Sequence, residues 1–224
     1  MEFEKNQIDY SLYLVTDSNL IENRSLERCV EQAIRGGCTL VQLREKELES
    51  KDFLNLAHKL KTLCDREGIP LLINDRIDIA LGVDAAGVHV GQNDFPVALA
   101  RKLLGSTKLL GVSVQTKQQA LQAEQEGADY LGVGAMYSTN TKKDATLVSL
   151  EELEAITNSV SIPVVAIGGM NKQTIPCCAK TGIDGVAVVS ALLTSIDITG
   201  TAKELKTLFL DTQKEYKETV RGVL

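Results

Sequence analysis

Tryptophan is absent, and four Phe and five Tyr are the only other large aromatics, so the expected core is aliphatic. Histidine occurs twice. The five cysteines (Cys29, Cys38, Cys64, Cys177 and Cys178) contain no Cys-x-x-Cys pair, which removes the usual tetrahedral zinc frameworks. No run approaches the ~20 apolar residues of a membrane-spanning helix, and the charged start Met1–Asn6 lacks the apolar stretch of a secretory leader. A cytoplasmic chain with reduced thiols is expected. Positive charge is also short: 24 Lys and Arg face 30 Asp and Glu, for a net charge of −6. Such a field attracts neither nucleic acid nor an anionic membrane, so any anionic ligand must be held by a local cluster of cations.

What the chain does have is a regular beat. Short β-rich runs recur at Leu12–Thr16, Leu40–Arg44, Leu71–Asn74, Gly87–Val90, Leu109–Ser113, Tyr130–Gly134, Val164–Gly168 and Gly185–Val189. Several are continuously apolar, as in strands buried on both faces of a parallel sheet. Between them apolar residues take helical spacing, as in Leu26, Cys29, Val30, Ala33 and Ile34, or Phe53, Leu56, Ala57, Leu60, Leu63 and Cys64. Thr116-x-x-Gln119 and Ser149-x-x-Glu152 read as capping boxes, Pro96 opens a helix and Gly105 closes it. A small-residue turn carrying Asp84, Asp129 or Asp184 precedes three of the strands. Eight strand–helix units in 224 residues leave 28 each, near the ~30 of a βα unit. The expected fold is α/β, a single (β/α)8 TIM barrel over 1–224, with an extension at 1–11 and a C-terminal helix near 200–220. An open doubly wound sheet is the alternative, but no Gly-x-Gly-x-x-Gly follows the first strand.

In such a barrel the chemistry sits at the C-terminal ends of the strands. Read in order, those ends carry Thr16-Asp17, Gln42 to Lys46, Asn74-Asp75-Arg76, Gly91 to Asp94, Ser113, Thr139 to Lys143, Gly168-Gly169 and Ser190. The opposite approaches are mostly small or apolar. Arg44 and Lys46, two apart on an extended segment, face one side and suit a shared anion. Asp75 and Asp94 suit Mg2+ shared with a diphosphate. Gly168-Gly169 and Ser190 follow strands seven and eight, where barrels of this type bind a monophosphate. Two anion pockets are expected, one of them served by a divalent cation. Each part also has a structural use: Arg44 and Lys46 can pair with Glu45, Glu47 or Asp75, the glycines can form a tight turn, and Asp75 can cap a helix. His89 reads as a packed or hydrogen-bonded core residue, His58 as solvated, and Cys177-Cys178 as packing.

On these residues the chain resembles the thiamine-phosphate synthase family from Leu12 to Leu193. The segments carrying the resemblance include Val41-Gln42-Leu43-Arg44-Glu45-Lys46, Leu72-Ile73-Asn74-Asp75-Arg76, Gly87-Val88-His89-Val90-Gly91-Gln92, Gly111-Val112-Ser113, Thr139-Asn140-Thr141-Lys142-Lys143, Ala166-Ile167-Gly168-Gly169 and Val188-Val189-Ser190. The resemblance implies a transferase that joins 4-amino-5-hydroxymethyl-2-methylpyrimidine diphosphate to a thiazole phosphate and releases diphosphate. It implies that Gln42, Leu43, Arg44, Glu45, Lys46, Asn74, Ser113 and Lys142 hold the pyrimidine diphosphate, with Arg44, Lys46, Ser113 and Lys142 catalytic. It assigns Asp75 and Asp94 to Mg2+, and Thr139, Asn140, Thr141, Gly169, Val189 and Ser190 to the thiazole phosphate. Departures from the family pattern are Ala135 and Ser138 in place of prolines, Asn93 in place of an acid and Gln115 in place of a His. A thiazole tautomerase and a non-catalytic phosphate-ligand sensor on the same barrel are the rival functions. The expected partners are small molecules, with the oligomeric state left open.

Overall fold

In the computed structural model, which describes residues 4–138 and 146–221, eight parallel strands close into a barrel in sequence order. They are β1 (Leu12–Val15), β2 (Leu40–Leu43), β3 (Leu71–Asn74), β4 (Gly87–Val90), β5 (Leu109–Val114), β6 (Tyr130–Val133), β7 (Val164–Ile167) and β8 (Gly185–Val188), with β8 pairing back onto β1. Helices α1 (Leu26–Arg35), α2 (Ser50–Glu67), α3 (Ile77–Gly82), α4 (Val97–Leu104), α5 (Lys117–Gln125), α6 (Leu150–Thr157), α7 (Ile175–Ala179) and α8 (Ser190–Leu193) follow the strands in turn, and α9 (Ile198–Arg221) closes the ring against α1 and α7. Among the described residues no helix is long and apolar enough to cross a membrane.

Side chains alternate between two shells, as the period of a strand demands. Leu12, Leu14, Val41, Leu43, Leu71 and Ile73 point outward and pack with the apolar faces of the helices. Tyr13, Val15, Leu40, Leu72, Leu109, Tyr130, Val165 and Ala187 point inward and fill the barrel. The outer shell is mostly aliphatic, as composition suggests, with Phe53 and Phe209 among its few rings, but the inner one is built around Tyr10, Tyr13 and Tyr130. Small residues make room for these tyrosines. A Cβ on Gly111 would lie 2.2 Å from Tyr130 Cζ, and one on Gly185 would lie 1.8 Å from the Tyr10 carbonyl oxygen.

The punctuation read from the sequence is used. Asp129 accepts from the Leu110 amide at 2.7 Å and Asp184 from the Val164 amide at 2.8 Å, each tying its turn to the start of the preceding strand. Thr116 and Ser149 cap α5 and α6, accepting from the amides of Gln119 and Glu152. The reciprocal halves differ from a simple box. Gln119 Oε1 takes the Gln115 amide, and Glu152 Oε1 takes the Lys117 amide at the start of the neighbouring helix. Five strands end one residue earlier than expected and β5 ends one later.

Gly111→Ala tests the inner shell. The added methyl must displace the Tyr130 ring, and such overpacking costs about 1–3 kcal/mol. The thermal midpoint followed by circular dichroism should therefore fall by several degrees.

Candidate active site

All eight C-terminal strand ends open on one side, so the polar residues found there are brought together by closure. Three groups form. The first surrounds the loop after β2. Thr16 donates its hydroxyl to Glu45 Oε1 at 2.9 Å and accepts the Arg44 amide at 2.9 Å, while the Ser18 amide donates to Glu45 Oε2 at 3.2 Å. Glu45 is thus a buried clamp across β1 and β2, and it leaves the half-buried Arg44 and the exposed Lys46 at the rim. Among the described residues Arg44 forms no ion pair. Leu43 behaves differently from its neighbours: its side chain lies fully buried in the outer shell. Any ligand contact at Leu43 must come from its backbone, because alternation turns its side chain away from the mouth.

The second group is a pair of carboxylates. Asp75 follows β3 with φ +61°, a left-handed conformation that Asp tolerates better than most residues, and its amide donates to the His89 carbonyl at 2.9 Å. Asp94 folds back so that its Oδ2 accepts the Gly91 amide at 2.9 Å; a side chain on Gly91 would collide with that oxygen. Burial and the adjacent Asp94 carboxylate push the Asp75 carboxyl up to about 6, against the opposing pull of Lys46, whose Nζ stands 3.9 Å away, and of Asn74. Two like charges side by side, one of them partly buried, are a poor fold stabiliser and a good cation seat. Mg2+ usually takes one or two carboxylates and completes its shell with water and substrate phosphate oxygens, so this donor set fits it.

The third group lies after β7 and β8. Gly168 and Gly169 have φ +94° and +70°, and a Cβ on Gly169 would meet that of Tyr137 at 2.7 Å. Asn171 and Thr174 both donate to the Gly169 carbonyl, at 3.0 and 2.8 Å, which locks the turn. The Gly169 amide donates to no acceptor among the described residues. Val189 is half-buried, and the exposed Ser190 opens α8 beside it. Thr139, Asn140, Thr141 and Lys142 lie outside the described residues.

Beneath the mouth runs a chain that sequence reasoning missed. Gln42 Nε2 donates to the Tyr13 hydroxyl at 2.6 Å, Tyr13 and Tyr130 hydroxyls meet at 2.9 Å, Tyr130 meets His89 Nδ1 at 2.8 Å, and His89 Nε2 meets Ser113 Oγ at 2.9 Å. Strand phase could have placed Tyr13, Gln42, His89, Ser113 and Tyr130 all in the interior, but not their order. Of the thiols, Cys29, Cys38, Cys64 and Cys178 are buried, and burial pushes Cys178 up to about 12; Cys177 does not pack as expected but is exposed, because α7 turns Ile175, Cys178 and Ala179 inward.

A family model described as thiamine monophosphate synthase matches residues 12–192. The chain belongs to that family. A thiamine-phosphate synthase of Clostridium beijerinckii is 58% identical over 206 residues, covering 92% of this chain and 99% of the relative. One of Ruminiclostridium cellulolyticum is 54% identical over 207 residues, with the same coverage. A solved structure, the thiamine phosphate pyrophosphorylase of Pyrococcus furiosus, superposes with a TM-score of 0.85 at 36% identity, covering 92% of this chain and 98% of that one. The family member described here is therefore an enzyme, a transferase of thiamine biosynthesis on a TIM barrel.

In the metal-free enzyme Asp75 should titrate near pH 6, and Asp94→Asn should lower it only in part, since burial is the larger cause and remains. Carboxyl-carbon NMR without divalent cations reads this directly. Because the raised value belongs to the folded state, Asp75 favours folding at low pH, and that contribution is lost as pH rises through about 6.

Proposed function

We propose that the enzyme joins 4-amino-5-hydroxymethyl-2-methylpyrimidine diphosphate to a thiazole phosphate, releasing diphosphate by departure of the leaving group before capture of a pyrimidine cation. The observation that carries this reading is the Asp75–Asp94 pair beside Lys46, at the mouth that also holds the Gly168-Gly169 turn. A thiazole tautomerase has use for a monophosphate pocket alone and none for a carboxylate pair with cations. A sensor needs no machinery for a leaving group.

Arg44 and Lys46, joined by Lys142, would bind the diphosphate and stabilise the charge that grows on it as the pyrimidine C–O bond breaks. Ser113, Gln42 and Asn74 would hold the pyrimidine ring at the strand ends. The Gly169 amide and Ser190, with Thr139, Asn140, Thr141 and Val189, would hold the thiazole phosphate, so that the ring nitrogen faces the cationic carbon and captures it. No protein nucleophile is needed for that capture. Holding both rings in line makes the encounter an oriented one. When bound at Asp75 and Asp94, Mg2+ would supply positive charge for the departing diphosphate. Glu45 acts by setting the Arg44 loop and Leu43 by packing. The residues 1–224 are read as one cytoplasmic domain serving this one site.

With both substrates and Mg2+, the enzyme should release one diphosphate per thiamine phosphate formed. Excess chelator should abolish turnover, and Asp75→Asn should slow it about a hundredfold or more, the scale of losing one strong electrostatic contact. Full activity in chelator contradicts the proposal. For the second pocket, Ser190→Asp is cleaner than a change at Gly169, whose φ and close contact with Tyr137 would add strain. Calorimetry should show thiazole-phosphate affinity reduced by like charge, with pyrimidine-diphosphate binding unchanged. Equal loss of both contradicts two separate anion pockets.

A further inference from the structure

We propose that Tyr13, Tyr130 and His89 form a one-way hydrogen-bond chain that fixes Gln42 as an acceptor and Ser113 as a donor toward the barrel mouth, and so select the hydrogen-bonding pattern of the pyrimidine ring. The inference rests on the reading that Gln42 and Ser113 face that ring.

The direction follows from counting protons. Gln42 donates one of its two Nε2–H groups to the Tyr13 oxygen at 2.6 Å, so the amide is held with its nitrogen on the chain and its carbonyl, the only acceptor of that side chain, directed away from it. A phenol has one proton, and both phenols are fully buried, so leaving either proton unpaired is costly. Tyr13 therefore donates to Tyr130 across 2.9 Å, and Tyr130 donates to His89 Nδ1 across 2.8 Å. With Nδ1 accepting, the imidazole proton sits on Nε2 and is donated to Ser113 Oγ at 2.9 Å. The Ser113 hydroxyl proton is then turned away from the chain. Burial also holds both phenols protonated, since it pushes their ionisation well above the usual tyrosine range.

The chain is held in place from both sides. Tyr10 packs at a tilt against Tyr130, with centroids 5.0 Å apart and ring planes 38° apart, and Gly111 and Gly132 leave the space that Tyr130 and His89 occupy. Its ends differ in polarity as the two edge atoms of a 4-aminopyrimidine do: the exocyclic amine donates and the ring nitrogen accepts. A 4-oxopyrimidine carries the opposite pattern, a carbonyl acceptor beside a ring N–H. The chain accordingly makes Tyr13, Tyr130 and His89 positioning residues for specificity, with no contact to the reacting bond.

The test compares the binding of 4-amino and 4-oxo forms of the pyrimidine diphosphate by calorimetry, with Mg2+ and without the thiazole phosphate. The unaltered enzyme should prefer the amino form by about tenfold or more, as sites built around polar groups do. Tyr130→Phe keeps the ring and removes the central hydroxyl, so both ends become free to reorient, and the preference should shrink several-fold. Tyr13→Phe cuts the chain at another point and should do the same, which covers the case of one variant failing to fold. Tyr10→Phe removes a hydroxyl outside the chain and should keep the full preference. A purely structural role would weaken both forms equally in Tyr130→Phe and Tyr13→Phe; an unchanged ratio there, or no preference in the unaltered enzyme, overturns the proposal. Ser113→Ala separates the premise: if it leaves the affinity for the amino form intact, Ser113 does not face the ring and the reading beneath the inference fails.

Discussion

In a closed parallel barrel, successive side chains must alternate between an inner and an outer shell, and every strand must end on the same side. The rest of this molecule follows from that constraint. The outer shell takes the mostly aliphatic residues that seat the helices, and the narrow interior takes a few rings made tolerable by glycines at Gly111 and Gly132. Closure then collects at one mouth polar residues that are far apart in the chain. Tyr13 and Tyr130 are separated by 117 residues and their hydroxyls meet at 2.9 Å.

The mouth is assembled at some expense to stability. Asp75 occupies a left-handed backbone conformation beside a second carboxylate, and the Gly168-Gly169 turn needs two positive φ angles in succession. The surrounding hydrogen bonds compensate: Asn171 and Thr174 pin the glycine turn, Gly91 anchors Asp94, and Glu45 ties the loop after β2 to β1. The opposite end is arranged for stability. There Asp129 gathers Lys5, Arg101 and the Leu110 amide, and Asp184 secures β7.

The strands, helices, caps and aspartate turns were legible in the sequence because each depends on neighbours only a few residues away. The candidate site was legible only as a cluster of polar residues at the strand ends. Two features resist that reading. Leu43 travels with Gln42 and Arg44 in the family motif, yet its place between them puts its side chain on the outer shell, which strict attention to alternation would have shown. The Gln42–Tyr13–Tyr130–His89–Ser113 chain needs the register of strands β1, β2, β4, β5 and β6 together, and no local pattern states which inward residues touch. The aliphatic expectation failed inside the barrel for a related reason: composition counts rings but does not locate them.

The central claim is that Asp75 and Asp94 face each other for a ligand and not for the fold. The thermal midpoint of the ligand-free, metal-free enzyme at pH 8 tests it through Asp75→Asn. Asn keeps the shape and tolerates the left-handed backbone, while removing one of two repelling, partly buried charges. The midpoint of Asp75→Asn should equal that of the unaltered enzyme or lie a few degrees above it. A substantial fall would mean that the Asp75 charge, through Lys46 or the turn after β3, is holding the barrel together, and would contradict the assignment of the pair to a cation.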